Sequence, residues 1–141
     1  MALNLSVQVR RRLSSQFLLY LAFNAASGVT IVFGESGSGK TTLLRCIAGL
    51  TPPDEGRVVL GDRALFDGRA GVNIDSSRRR LGFVFQQLAL FPHLTAAENI
   101  EYGMARLPLT ERRERTARLA AAFGIDHLLG RRPAHISGGE R

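Results

Sequence analysis

Residues 34–41 read Gly-Glu-Ser-Gly-Ser-Gly-Lys-Thr and fit the pattern G-x-x-x-x-G-K-[ST] without a mismatch. Few eight-residue strings constrain a backbone as tightly. The glycines let the chain curl until several amide N–H groups point inward at one phosphate. The flanks agree with that reading. Val29 to Phe33, entered through Gly28, is a short β-branched run that reads as a buried strand. Thr41 to Leu50 carries Leu43, Leu44, Ile47 and Ala48 at helical spacing and stops at Gly49 and Pro52-Pro53. A helix beginning near Gly39 would turn its positive end toward the same anion. The plainer alternative is a Gly/Ser turn ahead of an ordinary helix.

Lys40 stands out for a second reason. The chain has 141 residues and 19 basic side chains, of which Lys40 is the only lysine and the other eighteen are arginine. A compact ammonium suits the outer phosphates within a ring of amides, where a forked guanidinium fits poorly. The Thr41 hydroxyl can ligate magnesium, with water and phosphate oxygens completing the octahedron. The net charge of +7 is spread over short clusters at 10–12, 78–80, 112–118 and 131–132, which read as solvated surface and not as a nucleic-acid stripe.

Composition sets the remaining bounds. With 45% hydrophobic and 22% charged residues the chain is globular, about one domain long, and able to bury roughly two-thirds of its unfolded surface. One cysteine, Cys46, allows neither an internal disulfide nor a Cys-rich metal site. No apolar run approaches the roughly 20 residues of a membrane span. Met1 to Arg12 is apolar then basic, the reverse of a secretory signal.

Along the chain, Leu3, Leu5, Val7 and Val9 alternate as in a half-buried strand, and Phe17 to Phe23 is a second apolar run. Val58–Leu60 and Ala64–Phe66 read as a hairpin across Gly61-Asp62, and Leu81–Phe85 as another buried strand. After residue 86 the pattern turns helical. Thr95-Ala-Ala-Glu98 is a capping box, and Thr110 is expected to cap an arginine-rich helix ending at Phe123-Gly124. Gln86, where a strand leaves the core, can reach a bound magnesium or an attacking water through its amide. Ile136-Ser137-Gly138-Gly139-Glu140 offers a hydroxyl and free amides to an anion.

These three segments in this order, with Leu90-Phe91-Pro92-His93-Leu94-Thr95 after the glutamine, resemble the nucleotide-binding domain of an ABC transporter over essentially the whole chain. The resemblance implies an α/β P-loop fold: an ATP-binding core over 1–87, with an antiparallel β-subdomain, and a helical subdomain over 88–141. It implies ATP and Mg2+ as ligands. Gly34, Glu35, Ser36, Gly37, Ser38, Gly39, Lys40, Thr41 and Thr42 become the Walker A loop, with Thr41 and Gln86 toward magnesium and Lys40 and Gln86 in catalytic roles. Ser137, Gly138 and Gly139 become the signature that closes over ATP held by a second copy of the domain. The implied partners are that second domain, an integral-membrane permease and, indirectly, a periplasmic solute-binding protein, with no nucleic acid. The implied location is peripheral, on the cytoplasmic face of the bacterial inner membrane.

Departures from the family pattern qualify this picture. The usual signature Leu-Ser-Gly-Gly-Gln is Ile136-Ser-Gly-Gly-Glu140 here, and Arg10–Arg12 stands where the family places an adenine-stacking aromatic. Phe17 and Tyr20 are the aromatic candidates for that stack, although each also reads as a sheet-core residue. The Walker B strand, catalytic Glu and switch His of the family do not follow Arg141. The resemblance therefore implies an N-terminal fragment with residual nucleotide affinity and negligible turnover. The stretch 56–67 and the run from Ile74 into Gln86 are most similar to bacterial molybdate importer ATPases, although sulfate, iron and sugar importers share much of the pattern. Two other readings remain at this stage: a soluble ABC-type ATPase acting on nucleic acid, and a non-catalytic ATP-binding remnant.

Overall fold

Val7 and Val9 face one way and Gln8 and Arg10 the other, and that alternation builds the first strand, β1 (Leu5–Arg12). The computed structural model describes residues 4–87 and 89–137, and the chain divides into two compact units, Met1–Phe83 and Val84–Arg141. In the first, β1 pairs antiparallel with β2 (Leu18–Ala25) on one side and with β3 (Glu55–Leu60) on the other. The hairpin to β4 (Arg63–Asp67) turns at Gly61-Asp62, as its sequence indicates, with a register shift between Val58 and Val59. A two-residue strand, β5 (Val72–Asn73), completes the sheet order β2-β1-β3-β4-β5.

The inward face gathers Val7, Val9, Leu19, Val58, Leu65 and Phe66 into one buried cluster with Leu43 of helix α1 (Lys40–Ala48). Past that core, β1 runs on through its arginines. Arg10 pairs with Glu55 at 2.9 Å and Arg11 with Asp54 at 2.7 Å, so the strand extends past the apolar alternation.

Two expected strands do not form. Residues 29–33 and 81–85 adopt no strand geometry, and Val29, Ile31, Phe33 and Val84 are 94%, 83%, 97% and 96% exposed. An apolar β-branched run becomes a strand only by joining a hydrogen-bonded ladder. Among the described residues the sheet is bounded by β2 and β5, and neither run joins it.

The 78–80 cluster is also corrected. Arg78 and Arg80 are exposed, but Arg79, the last residue of the one-turn helix α2 (Ser76–Arg79), is 1% exposed. A charge run signals surface only when every member can reach water. Here the turn of α2 drives the middle side chain inward.

The second unit is helical. Thr95 caps α3 (Ala96–Glu101): its hydroxyl accepts the Glu98 amide at 3.2 Å, and Glu98 Oε2 accepts the Thr95 amide at 2.7 Å. The amides of Ala96 and Ala97 donate to the carbonyls of Arg131 and Leu129, which satisfies two more first-turn donors. Helix α4 (Leu109–Phe123) starts one residue before Thr110, with Pro108 at its cap, so Thr110 is not the cap. Proline there sacrifices no intrahelical hydrogen bond. Gly124 closes the helix as its sequence position suggests. Ala120, Leu128 and Ile136 are buried in this unit, and the last two line an apolar cavity of about 210 Å3 together with Leu90, Ile100 and Ile125.

Hydrogen bonds from the backbone and hydroxyl of Thr95 hold the Glu98 carboxyl below its ordinary value of 4.5. The Arg12 amide, followed by the charge of Arg11, does the same for Asp54 relative to 3.8. A carboxylate with a depressed folded pKa contributes stability above its unfolded pKa and loses it as pH falls through the folded one. Stability is therefore expected to decline below about pH 5. Urea midpoints of a Glu98→Gln, Asp54→Asn variant are expected to be lower than wild type at neutral pH and to fall less steeply on acidification.

Candidate phosphate-binding site

The loop closes on itself before α1 begins. Ser38 donates its amide to the Glu35 carbonyl at 3.3 Å, and Gly39 then sits at the amino end of α1 with φ +90°. That left-handed conformation favours glycine. Space excludes a side chain as well: a Cβ on Gly39 would lie 3.0 Å from Leu19 Cδ1 and 3.6 Å from Phe17 Cε1. The loop thus leans on the start of β2. A Cβ on Gly34 would come within 3.0 Å of Ser38 Oγ across the loop.

Lys40, the first residue of α1, reaches back over this turn. Its Nζ donates to the Gly34 carbonyl at 2.8 Å, to the Glu35 carbonyl at 2.6 Å and, more weakly, to Ser38 Oγ at 3.4 Å. A full positive charge therefore stands where the first-turn amides of α1 converge, the combination that attracts a multiply charged anion. Thr41 is exposed on that first turn and Thr42 is half-buried.

The donor set fits a magnesium–phosphate pair. It offers one hard hydroxyl oxygen from Thr41 and leaves the other positions to phosphate and water. No cluster of three His, Cys, Asp or Glu side chains occurs among the described residues.

The structure gathers Gly34, Glu35, Ser36, Gly37, Ser38, Gly39, Lys40, Thr41 and Thr42 in one loop and helix start. Gln86 and Ser137 belong to the second unit and are exposed. Gly138 and Gly139 lie outside the described residues. Of the aromatic candidates, Phe17 lies against Gly39 at the rim of the loop, packed on the core. Tyr20 is 64% exposed on β2, opposite Arg10, so it is not a core residue. Sequence reasoning missed Arg79, whose guanidinium meets the far end of α1. No sequence signal marks it, because the α1 carbonyls that it meets lie more than thirty residues upstream.

The family profile for ABC transporters matches residues 21–141. The molybdenum import ATP-binding protein ModC of Rhodospirillum rubrum is 49% identical over 123 residues, covering 87% of this chain and 33% of the relative. ModC of Paramagnetospirillum magneticum is 44% identical over 137 residues, covering 97% of this chain and 38% of the relative. This chain thus spans little more than a third of the curated relatives it matches. Among solved structures, a dimeric ATP-binding cassette in a post-hydrolysis state, bound to ADP and Pi, has a TM-score of 0.71 at 27% identity, with 99% of this chain and 65% of that chain covered. The cbiO1 protein of Clostridium perfringens, part of the ABC transporter complex cbiONQ, has a TM-score of 0.74 at 26% identity, with 96% and 56% covered.

A Gly39→Ala substitution must adopt a left-handed backbone and press into Leu19. It is expected to lower unfolding free energy by about 1–3 kcal/mol, measured by denaturant titration.

Proposed function

This chain belongs to the ABC transporter family, and on that footing we propose that it binds Mg-ATP on the 34–42 loop as the ATP-binding part of a bacterial importer. The observation that carries the proposal is the placement of Lys40, whose ammonium is centred on its own loop at the positive end of α1. In this reading Lys40 leaves its loop carbonyls for the outer phosphates of ATP, and the loop amides surround the inner ones. Thr41 would hold the magnesium through its hydroxyl, and the ion would supply positive charge against the phosphates. Gln86 carries the state of the nucleotide toward a permease, and Ser137, Gly138 and Gly139 close over ATP held by a second copy of the domain.

The wider assignment follows the relatives. Residues 1–87 act as the ATP-binding core and 88–141 as the helical subdomain that docks on the permease. Two copies work as a homodimer at the cytoplasmic face of the inner membrane, with a periplasmic protein delivering cargo. ATP hydrolysis drives import. Molybdate is the cargo suggested by the ModC relatives, and other subunits handle it.

Calorimetric titration with Mg-ATP tests the core of the proposal. The wild-type chain is expected to bind, and Lys40→Arg and Lys40→Ala to bind at least about tenfold more weakly, because the loop accommodates a point charge and not a planar fork. Equal binding by Lys40→Arg would overturn the account of this lysine.

A further inference from the structure

We propose that Arg79 is a positioning residue for the phosphate loop, holding α1 from its far end so that Lys40 and Thr41 meet the nucleotide in register. The inference rests on the nucleotide-binding reading above and assigns that site a residue on the opposite end of its helix.

Arg79 Nη1 donates to the carbonyls of Cys46 and Ile47, in the last turn of α1, at 2.9 and 2.8 Å. Its Nε donates to the Ile74 carbonyl at 2.8 Å, and Nη2 to Asn73 Oδ1 at 3.1 Å. A guanidinium carries five N–H donors in a rigid fork, and four bonds from one side chain join the end of α1 to the 73–74 segment. The side chain is 1% exposed. Burial pushes its pKa below the ordinary value. Its acceptors are carbonyl and amide oxygens, and those of α1 carry the negative end of the helix dipole. A buried charge is tolerated only while such bonds hold, so the side chain cannot shift within its buried site without giving up its hold on the end of α1.

Gly49 supports the same reading independently. It closes α1 with φ +78°, and a Cβ there would lie 2.8 Å from Arg79 Cζ. The guanidinium packs where any other residue would place a side chain.

The consequence for the site follows from helix mechanics. A nine-residue helix is a rod about 13 Å long. Its middle rests on the sheet core through Leu43, which acts as a fulcrum. Releasing the Arg79 end lets the rod tilt, and the tilt appears at Lys40 and Thr41. Phosphate binding is sensitive to displacements of about 1 Å in its donors.

The test titrates Mg-ATP into wild type, Arg79→Lys and Asn73→Ala, each shown folded by circular dichroism at the titration temperature. Arg79→Lys keeps the charge but cannot span four acceptors, and binding is expected to weaken roughly tenfold. Asn73→Ala removes one acceptor from an exposed residue, and a weakening of about two- to fivefold is expected. The 31P resonance of the bound β-phosphate is expected to move in both variants. A purely structural arginine would lower the melting temperature and leave that resonance and the affinity in place. Unchanged affinity and an unchanged resonance in the folded variants overturn the proposal, and Asn73→Ala alone decides it if Arg79→Lys does not fold. Failure of the wild-type chain to bind Mg-ATP overturns the nucleotide-binding reading instead, a result visible before any variant is compared.

Discussion

Val7 and Val9 lie on β1 between β2 and β3, where an inward side chain has a paired strand on both sides and shares a buried cluster with Leu43 of α1. That placement fixes the strand register, because a slip of one residue would exchange the two valines for Gln8 and Arg10. With the register set, Leu19 is brought opposite Arg11 and into the core, and Leu19 is the side chain on which Gly39 rests. The geometry of the phosphate loop is therefore a consequence of sheet packing as much as of its own glycines.

Helix α1 is the shared part of these arrangements. Its Lys40 end holds the charge and the converging amides, its middle joins the sheet core through Leu43, and its Ala48 end meets a buried guanidinium. A short helix has little stability of its own and depends on tertiary contacts for its position. Cys46, fully buried on the same helix, has its thiol pushed up by that burial and serves as packing.

Local signals were legible where the physics is local. The loop pattern, the Thr95–Glu98 box, the Gly61-Asp62 turn and the Gly124 stop each depend on residues within a few positions of one another, and each appears in the structure. Signals that need a distant partner were misread. Residues 29–33 and 81–85 have strand composition, but a strand exists only in a ladder, and no composition reports whether a ladder is within reach. Arg79 failed for the converse reason: its neighbours Arg78 and Arg80 are exposed, and nothing nearby in sequence announces four acceptors, two of them more than thirty residues upstream.

The sequence by itself supplied the chemistry on which the proposed site rests: a glycine-rich turn, one lysine and one threonine at a helix start. It also determined the family, because three ordered motifs carry more information than any one fold element. Only the tertiary structure decided how the site is held. Whether an arginine lies in water or beneath a helix, and whether an apolar run pairs or stays irregular, depends on contacts between segments far apart in the chain. Those contacts are set by the summed packing of the core and not by any local preference.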